Sequence, residues 1–245
     1  MKSARKTREL LEKLVAAVKD VAFPEYADLS PEKAAEAVRE SLEALAGGDL
    51  AEEFGKRLPE ICRLLNSDVQ AVAENDPAVK GEMEIVFCYP AVTAMLHYRT
   101  AHALLELGVE VLPRMLTEMA HSSTGIDIHP GASIGAYFAI DHGTGIVIGE
   151  TSVIGEHVML YQGVTLGAKN FHYDEAGLPL NLPRHPIIED NVTVYSNTSI
   201  LGRVRIGHDS VIGGNVWLTH DVPPGSRILQ RKAVSAALFS DGEGI

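Results

Sequence analysis

Cysteine is scarce in this chain, with two among 245 residues, and tryptophan occurs once. Cys62 and Cys88 lack metal-ligand spacing and form no framework, which excludes a disulfide-stapled scaffold and a thiolate zinc site. Both read as buried thiols in a reducing, cytoplasmic protein. No stretch approaches the roughly 18 consecutive apolar residues of a membrane span. The basic start Met1-Lys2-Ser3-Ala4-Arg5-Lys6 has no apolar run behind it, so it does not read as a secretory signal. Positive charge is also in short supply: 21 Lys and Arg against 33 Asp and Glu leave a formal net charge of -12. That balance argues against a nucleic-acid partner. What remains is ordinary globular composition, 46% apolar and 22% charged, with length enough for a sizeable core.

The first half has helical periodicity. Residues 3–20 carry Leu10, Leu11, Leu14, Val15 and Val18 on one face. Ser30-Pro31 supplies an N-cap and a first-turn proline for a second helix that ends at Gly47-Gly48. A third helix is expected over 50–65. Asp76-Pro77 is expected to open a further helical region, leading to a long segment near 89–107 that stops at Gly108. A last helix is expected over 110–121. No catalytic motif stands out here, and the pattern predicts a helical bundle used for packing or assembly.

The second half has a period of six. A bulky aliphatic recurs at Ile128, Ile134 and Ile140, slips by two at Gly143-Thr144-Gly145, and resumes at Ile148, Ile154, Leu160 and Leu166. After an interruption it runs through Ile188, Val194, Ile200, Ile206, Ile212 and Leu218. Glycine often follows the aliphatic, and a small or branched residue often sits four places after it. A period of six fits neither an ordinary strand nor a helix. It predicts a parallel β-helix whose coils stack their apolar layers. Residues 168–187 break the count with proline, glycine and charge, and read as a functional loop leaving the prism. The fold class expected is therefore α+β: a helical domain over 1–122, a left-handed β-helix of hexapeptide repeats over 123–225, and a tail over 226–245.

Several elements of the sequence resemble serine O-acetyltransferases. These are Asp127-Ile128-His129-Pro130-Gly131-Ala132, Asp141-His142-Gly143-Thr144-Gly145 with Ile146 through Thr151, Gly163-Val164-Thr165-Leu166-Gly167, and Arg184-His185-Pro186. Asp68-Val69-Gln70-Ala71-Val72 and Asn75-Asp76-Pro77-Ala78 match that family's helical part. The resemblance covers roughly residues 65–225. It departs from the family pattern where Ala168 replaces a second glycine and where Gln230-Arg231-Lys232 follows the last coil. The activity it implies is transfer of an acetyl group from acetyl-CoA to the L-serine hydroxyl, the first step of cysteine biosynthesis, with no metal. A serine hydroxyl needs a base in the transition state, and His142 fits that role with Asp127 fixing its tautomer. By resemblance, Asp76 and Asp141 take the ammonium and hydroxyl end of serine, and Arg184 with His185 takes the carboxylate. Gly167 and Ala168 sit where the family offers backbone N–H groups to the thioester, and Arg231 and Lys232 are candidates for the nucleotide phosphates. The resemblance also implies a homotrimer or a dimer of trimers. The tail ending at Ile245 looks like the segment that docks into O-acetylserine sulfhydrylase.

Three other readings stay open at the level of sequence. One is a hexapeptide acetyltransferase for another hydroxyl or amine acceptor. Another is a γ-type carbonic anhydrase, because His129, His142, His157 and His185 are numerous enough to suggest zinc. The last is a non-catalytic solenoid scaffold.

Overall fold

The computed structural model describes residues 3–171 and 173–230. Six helices come first: α1 (Ala4–Ala22), α2 (Pro31–Ala46), α3 (Gly48–Asn75), α4 (Glu82–Cys88), α5 (Pro90–Glu106) and α6 (Leu112–Thr124). Their apolar stripes face one another, and Leu11, Leu14, Leu42, Phe54, Leu65 and Leu104 are buried. At the start of α2, Ser30 is extended and Pro31 takes the first helical position; the helix stops at Gly47, whose φ of 106° favours glycine.

Two expectations are corrected here. The third helix runs on to Asn75, and Asp76-Pro77 closes it rather than opening another. Asp76 caps α3 through its N–H to Val72, and its carboxylate accepts the N–H of Ala78 at 2.8 Å. A residue before proline is driven out of the helical region, and an Asp side chain stabilises such a turn. The cysteines are also less buried than composition suggests: Cys88 is exposed and Cys62 is partly covered.

After α6 the chain winds into five stacked coils of a left-handed parallel β-helix. The first coil holds β1 (Asp127–Ile128), β2 (Ser133–Ile134) and β3 (Ala139–Asp141), and the second β4 (Val147–Ile148), β5 (Val153–Ile154) and β6 (Met159–Tyr161). The third holds β7 (Thr165–Gly167), β8 (Ile187–Ile188) and β9 (Thr193–Val194), and the fourth β10 (Ser199–Leu201), β11 (Arg205–Ile206) and β12 (Val211–Ile212). The incomplete fifth holds β13 (Trp217–Leu218) and β14 (Arg227–Ile228). Every aliphatic of the six-residue ladder is buried, and together they form the narrow core of the prism. Burial of each such side chain is worth about 1.5–3 kcal/mol relative to leaving it exposed.

Both breaks in the ladder have a structural meaning. Asp141 pairs with Tyr161 and Val147 with Thr165, so the first coil has two more residues at this corner than the second. Gly145 and Gly163 occupy matching places, bonding back to Gly125 and Thr144 one coil below. The additional pair is His142-Gly143, a tight turn closed by the Gly143 N–H to the Asp141 carbonyl at 2.7 Å, which turns His142 outward while Gly143 packs inward against Ile126 and Ile140. The second break lies between β7 and β8, where residues 168–186 leave the solenoid before Ile187 rejoins it beside Val153.

Helices and solenoid share one apolar core. A buried lock joins them. Arg99 makes two hydrogen bonds to Asp68, at 3.0 and 3.1 Å, and also donates to the carbonyls of Ile134 and Gly135. Asp68 accepts the N–H of Phe138, and Tyr98 donates to the carbonyl of Ala132. Losing one partner would strand the other charge, a cost of about 3–5 kcal/mol. The lock fixes α3 and α5 against the strand that carries Asp141.

Candidate active site

The expected site residues fall into two clusters. The first gathers at the end of β3. His142 has φ 57° on its tight turn and its side chain is 72% exposed. Its Nε2 lies 3.7 Å from Oδ1 of Asp141. Gly143 must follow, because a Cβ there would meet Ile126 at 2.5 Å. A recess between α3 and the solenoid is lined by Asp76, Tyr89, Asp141 and Met159. Tyr89 donates to Oδ2 of Asp76 at 2.6 Å while Ala78 holds Oδ1, so both carboxylate oxygens are fixed. The Tyr89 bond, with the Ala78 N–H, keeps the Asp76 carboxyl below the usual range. The same bond, reinforced by burial, pushes the Tyr89 phenol up to about 12. Tyr161, stacked on Tyr195 at 4.8 Å between ring centres, stands beside this recess.

The second cluster lies where the loop rejoins the prism. Arg184 bonds to Glu150, to Asn181 at 3.0 Å and to the carbonyl of Leu182. His185 is buried, its ring against Gly149, where a Cβ would meet it at 2.0 Å. Burial, with the charge of Arg184, takes the His185 imidazole down to about 4. His129 is lowered as well, chiefly by burial, with Glu150 and Asp127 opposing. Burial works against ionisation of Glu150, but the bond and charge of Arg184 outweigh it and hold that carboxyl low.

Asp127 belongs with this second cluster and the end of α6. Its nearest cation is Arg114 at 3.7 Å, and no hydrogen bond joins it to His142 within the chain. The inserted His142-Gly143 pair explains the separation. Asp127 pairs with Val147, so one full coil here is longer than three hexads, and His142 stops a corner short of Asp127.

Gly167 ends β7 opposite Leu201, and its carbonyl accepts the N–H of Gly202. Ala168 begins the loop. Arg231, Lys232 and Ile245 lie outside the described residues.

Glu118, His121 and Asp127 are the one group of three potential metal ligands among the described residues, within 4.8 Å of one another. Arg114 is bonded to Glu118 and lies beside Asp127, so a guanidinium already serves the acidic side. His129, His142, His157 and His185 form no three-ligand group within the chain. His157 instead stacks on Tyr137 at 4.4 Å. Sequence reasoning gave no role to Tyr89, Glu150 or Thr151. Glu150 and Thr151 stand inside a quoted motif, but the partners that give them meaning lie a coil away.

A prism of hexapeptide coils with an outward histidine defines a class, the hexapeptide-repeat transferases, and a family model described as bacterial transferase hexapeptide (six repeats) matches residues 185–220. A relative named serine acetyltransferase, plasmid, from Synechococcus elongatus is 54% identical over 198 residues, covering 80% of this chain and 62% of its own length. The serine acetyltransferase of Helicobacter pylori is 39% identical over 169 residues, 69% of this chain and 94% of that one. Among solved structures, serine acetyltransferase isoform 3 of Entamoeba histolytica, in complex with cysteine, matches with a TM-score of 0.80 and 32% identity over 93% of this chain and 84% of that one. This chain belongs to the serine acetyltransferase family. No helix among the described residues is long and apolar enough to cross a membrane.

Proposed function

We propose that the chain transfers an acetyl group from acetyl-CoA to the hydroxyl of L-serine, releasing O-acetyl-L-serine and CoA. The observation that carries this reading is that Asp76 and Asp141 line one recess and His142 stands at its edge, 3.7 Å from Asp141, projected by an insertion the solenoid itself does not need. Asp76 and Asp141 bind the serine ammonium and orient the hydroxyl, and Arg184 and His185 take the carboxylate. His142 removes the hydroxyl proton as the serine oxygen attacks the thioester carbonyl. Gly167 and Ala168 donate backbone N–H groups that steady the donor and the oxyanion. The tetrahedral intermediate collapses by breaking the carbon–sulfur bond, and the CoA sulfur takes the proton from His142. Arg231 and Lys232 hold the nucleotide phosphates. No metal takes part.

The two clusters lie on different parts of one chain, so this reading requires that one subunit's Asp76–Asp141–His142 recess meet its neighbour's Asp127–Arg184–His185 cluster. A homotrimer, or a dimer of trimers paired through the helices, supplies that contact. Asp127 then orients His142 across the interface. Residues 1–122 serve assembly and part of serine binding, the β-helix that follows carries the chemistry and extends past 225 to include β14, and the residues after it to 245 form a docking tail for O-acetylserine sulfhydrylase in the cytoplasm. Following free thiol release from acetyl-CoA with L-serine present and absent tests the reaction. Release that does not depend on serine would overturn it.

A further inference from the structure

Thr151, one residue past the Glu150 that pairs with Arg184, is the organiser of the second cluster. Its hydroxyl oxygen accepts two backbone N–H groups, from Arg184 at 2.8 Å and from His185 at 3.1 Å. It also lies 2.9 Å from Nδ1 of the His185 ring, and the Thr151 backbone N–H reaches the same Nδ1 at 3.1 Å. Arg203 ties both residues from below, donating to the carbonyls of Thr151 at 2.6 Å and His185 at 3.0 Å.

These bonds determine where the imidazole proton is. Backbone N–H groups only donate. A hydroxyl has two acceptor lone pairs and one hydrogen. Arg184 and His185 use both lone pairs, so the hydrogen of Thr151 is directed at Nδ1. The Thr151 N–H is directed at Nδ1 as well. A proton on Nδ1 would face two donors.

We infer that Thr151 is a positioning residue that locks His185 as the neutral tautomer with its proton on Nε2, so that His185 meets the acceptor substrate as an uncharged hydrogen-bond donor and never as a base. The ring edge bearing Nε2 lies over Gly149, whose missing Cβ leaves the space for it. The charged and titratable groups around the ring are Arg184 and Arg203, which oppose a second proton, Glu150, which favours it, and His129. His129 shows the same device, since its Nδ1 accepts the N–H of Gly131 at 3.0 Å. Positive charge in this cluster therefore comes from arginine alone. A carboxylate bound here would meet one guanidinium and a neutral N–H, and recognition at this end would not weaken as histidines deprotonate above neutrality.

The inference rests on the serine-binding role proposed above, and its test separates the two. Imidazole nitrogen NMR on the full-length protein labelled with 15N-histidine, without substrate, reads the tautomer directly; His185→Asn assigns the signals. The expected result is an unprotonated Nδ1 and a protonated Nε2, unchanged down to about pH 5. In Thr151→Val the hydroxyl is gone and the backbone N–H of residue 151 is left as the single donor facing Nδ1, so the signals should move part of the way toward an averaged tautomer and the ring should take up a proton at higher pH. Thr151→Ser should restore the wild-type pattern. Kinetically, Thr151→Val should raise the serine KM roughly tenfold, the scale of one to two lost hydrogen bonds, with the acetyl-CoA KM changed less than about twofold. A protonated Nδ1 in the wild type, or Thr151→Ser as altered as Thr151→Val, would overturn the lock. A correct tautomer in a protein that does not acetylate serine would leave the lock standing and remove the proposed function instead.

Discussion

His142 stands on a turn with φ 57°, exposed and 3.7 Å from Asp141, and this placement at the edge of the recess leaves it free to reach a hydroxyl bound there. His142→Ala should lower turnover by at least ~100-fold, the usual scale for a general base, with the circular dichroism spectrum unchanged. Near-normal turnover of the purified variant would remove the mechanism. Tyr89 gives a second test. Its bond holds the Asp76 carboxyl below the ordinary range. In Tyr89→Phe that carboxyl titrates at higher pH, so the ion that binds the ammonium is lost sooner as pH falls. Serine binding, titrated without acetyl-CoA, should therefore begin to weaken at higher pH in Tyr89→Phe than in the parent, in the carboxylate range below the acid limb that the His142 base sets for turnover. An unmoved onset would mean that Asp76 does not act as a charged group in binding.

At the scale of elements, the corner after β3 is an insertion in an otherwise regular coil. Removing His142 and Gly143 together would give Asp141-Thr144-Gly145 the arrangement already used by Tyr161-Gln162-Gly163. The double deletion should keep the β-helix, read as unchanged circular dichroism and a melting temperature no lower than that of the parent, while turnover disappears. A collapsed fold would show that the insertion is needed for coiling rather than for chemistry. The helices matter here because the Asp68–Arg99 lock holds α3, and so Asp76 at its end, against the first coil.

At the scale of the whole molecule, the proposed site requires the recess of one subunit to meet the Arg184 cluster of another. Outward positions of the solenoid include Val147 and Trp217 on the sheet of β1, with Val153 on the sheet of β2, and all three are exposed in the single chain. Mixing inactive His142→Ala with inactive Arg184→Ala subunits after dissociation should restore part of the activity, because some interfaces would then combine two intact halves. Mixtures as inactive as either variant would place the whole site within one chain. The tail makes a separate prediction: deletion of Ile245 should abolish binding to O-acetylserine sulfhydrylase and leave acetyl transfer unchanged. Equal affinity of both forms in a titration would leave the tail without that role.

The sequence by itself determined the solenoid. Ile128 through Leu218 repeat every six residues, and only stacked coils bury that pattern, so the core was legible before any coordinate. The helical half was legible where Ser30-Pro31 and Gly47 mark ends, and misread at Asp76-Pro77, where a turn signal and a helix-start signal use the same residues. The slip at Gly143–Gly145 was visible as a miscount, but its consequence was not. Only the strand register shows that the additional residues are His142 and Gly143 and that they carry His142 away from Asp127. The bonds of Thr151 to His185, of Tyr89 to Asp76 and of Arg99 to Asp68 were likewise invisible in sequence. Each joins residues set far apart along the chain, and separations of that kind are fixed by coil length, loop length and docking angle rather than by any local pattern.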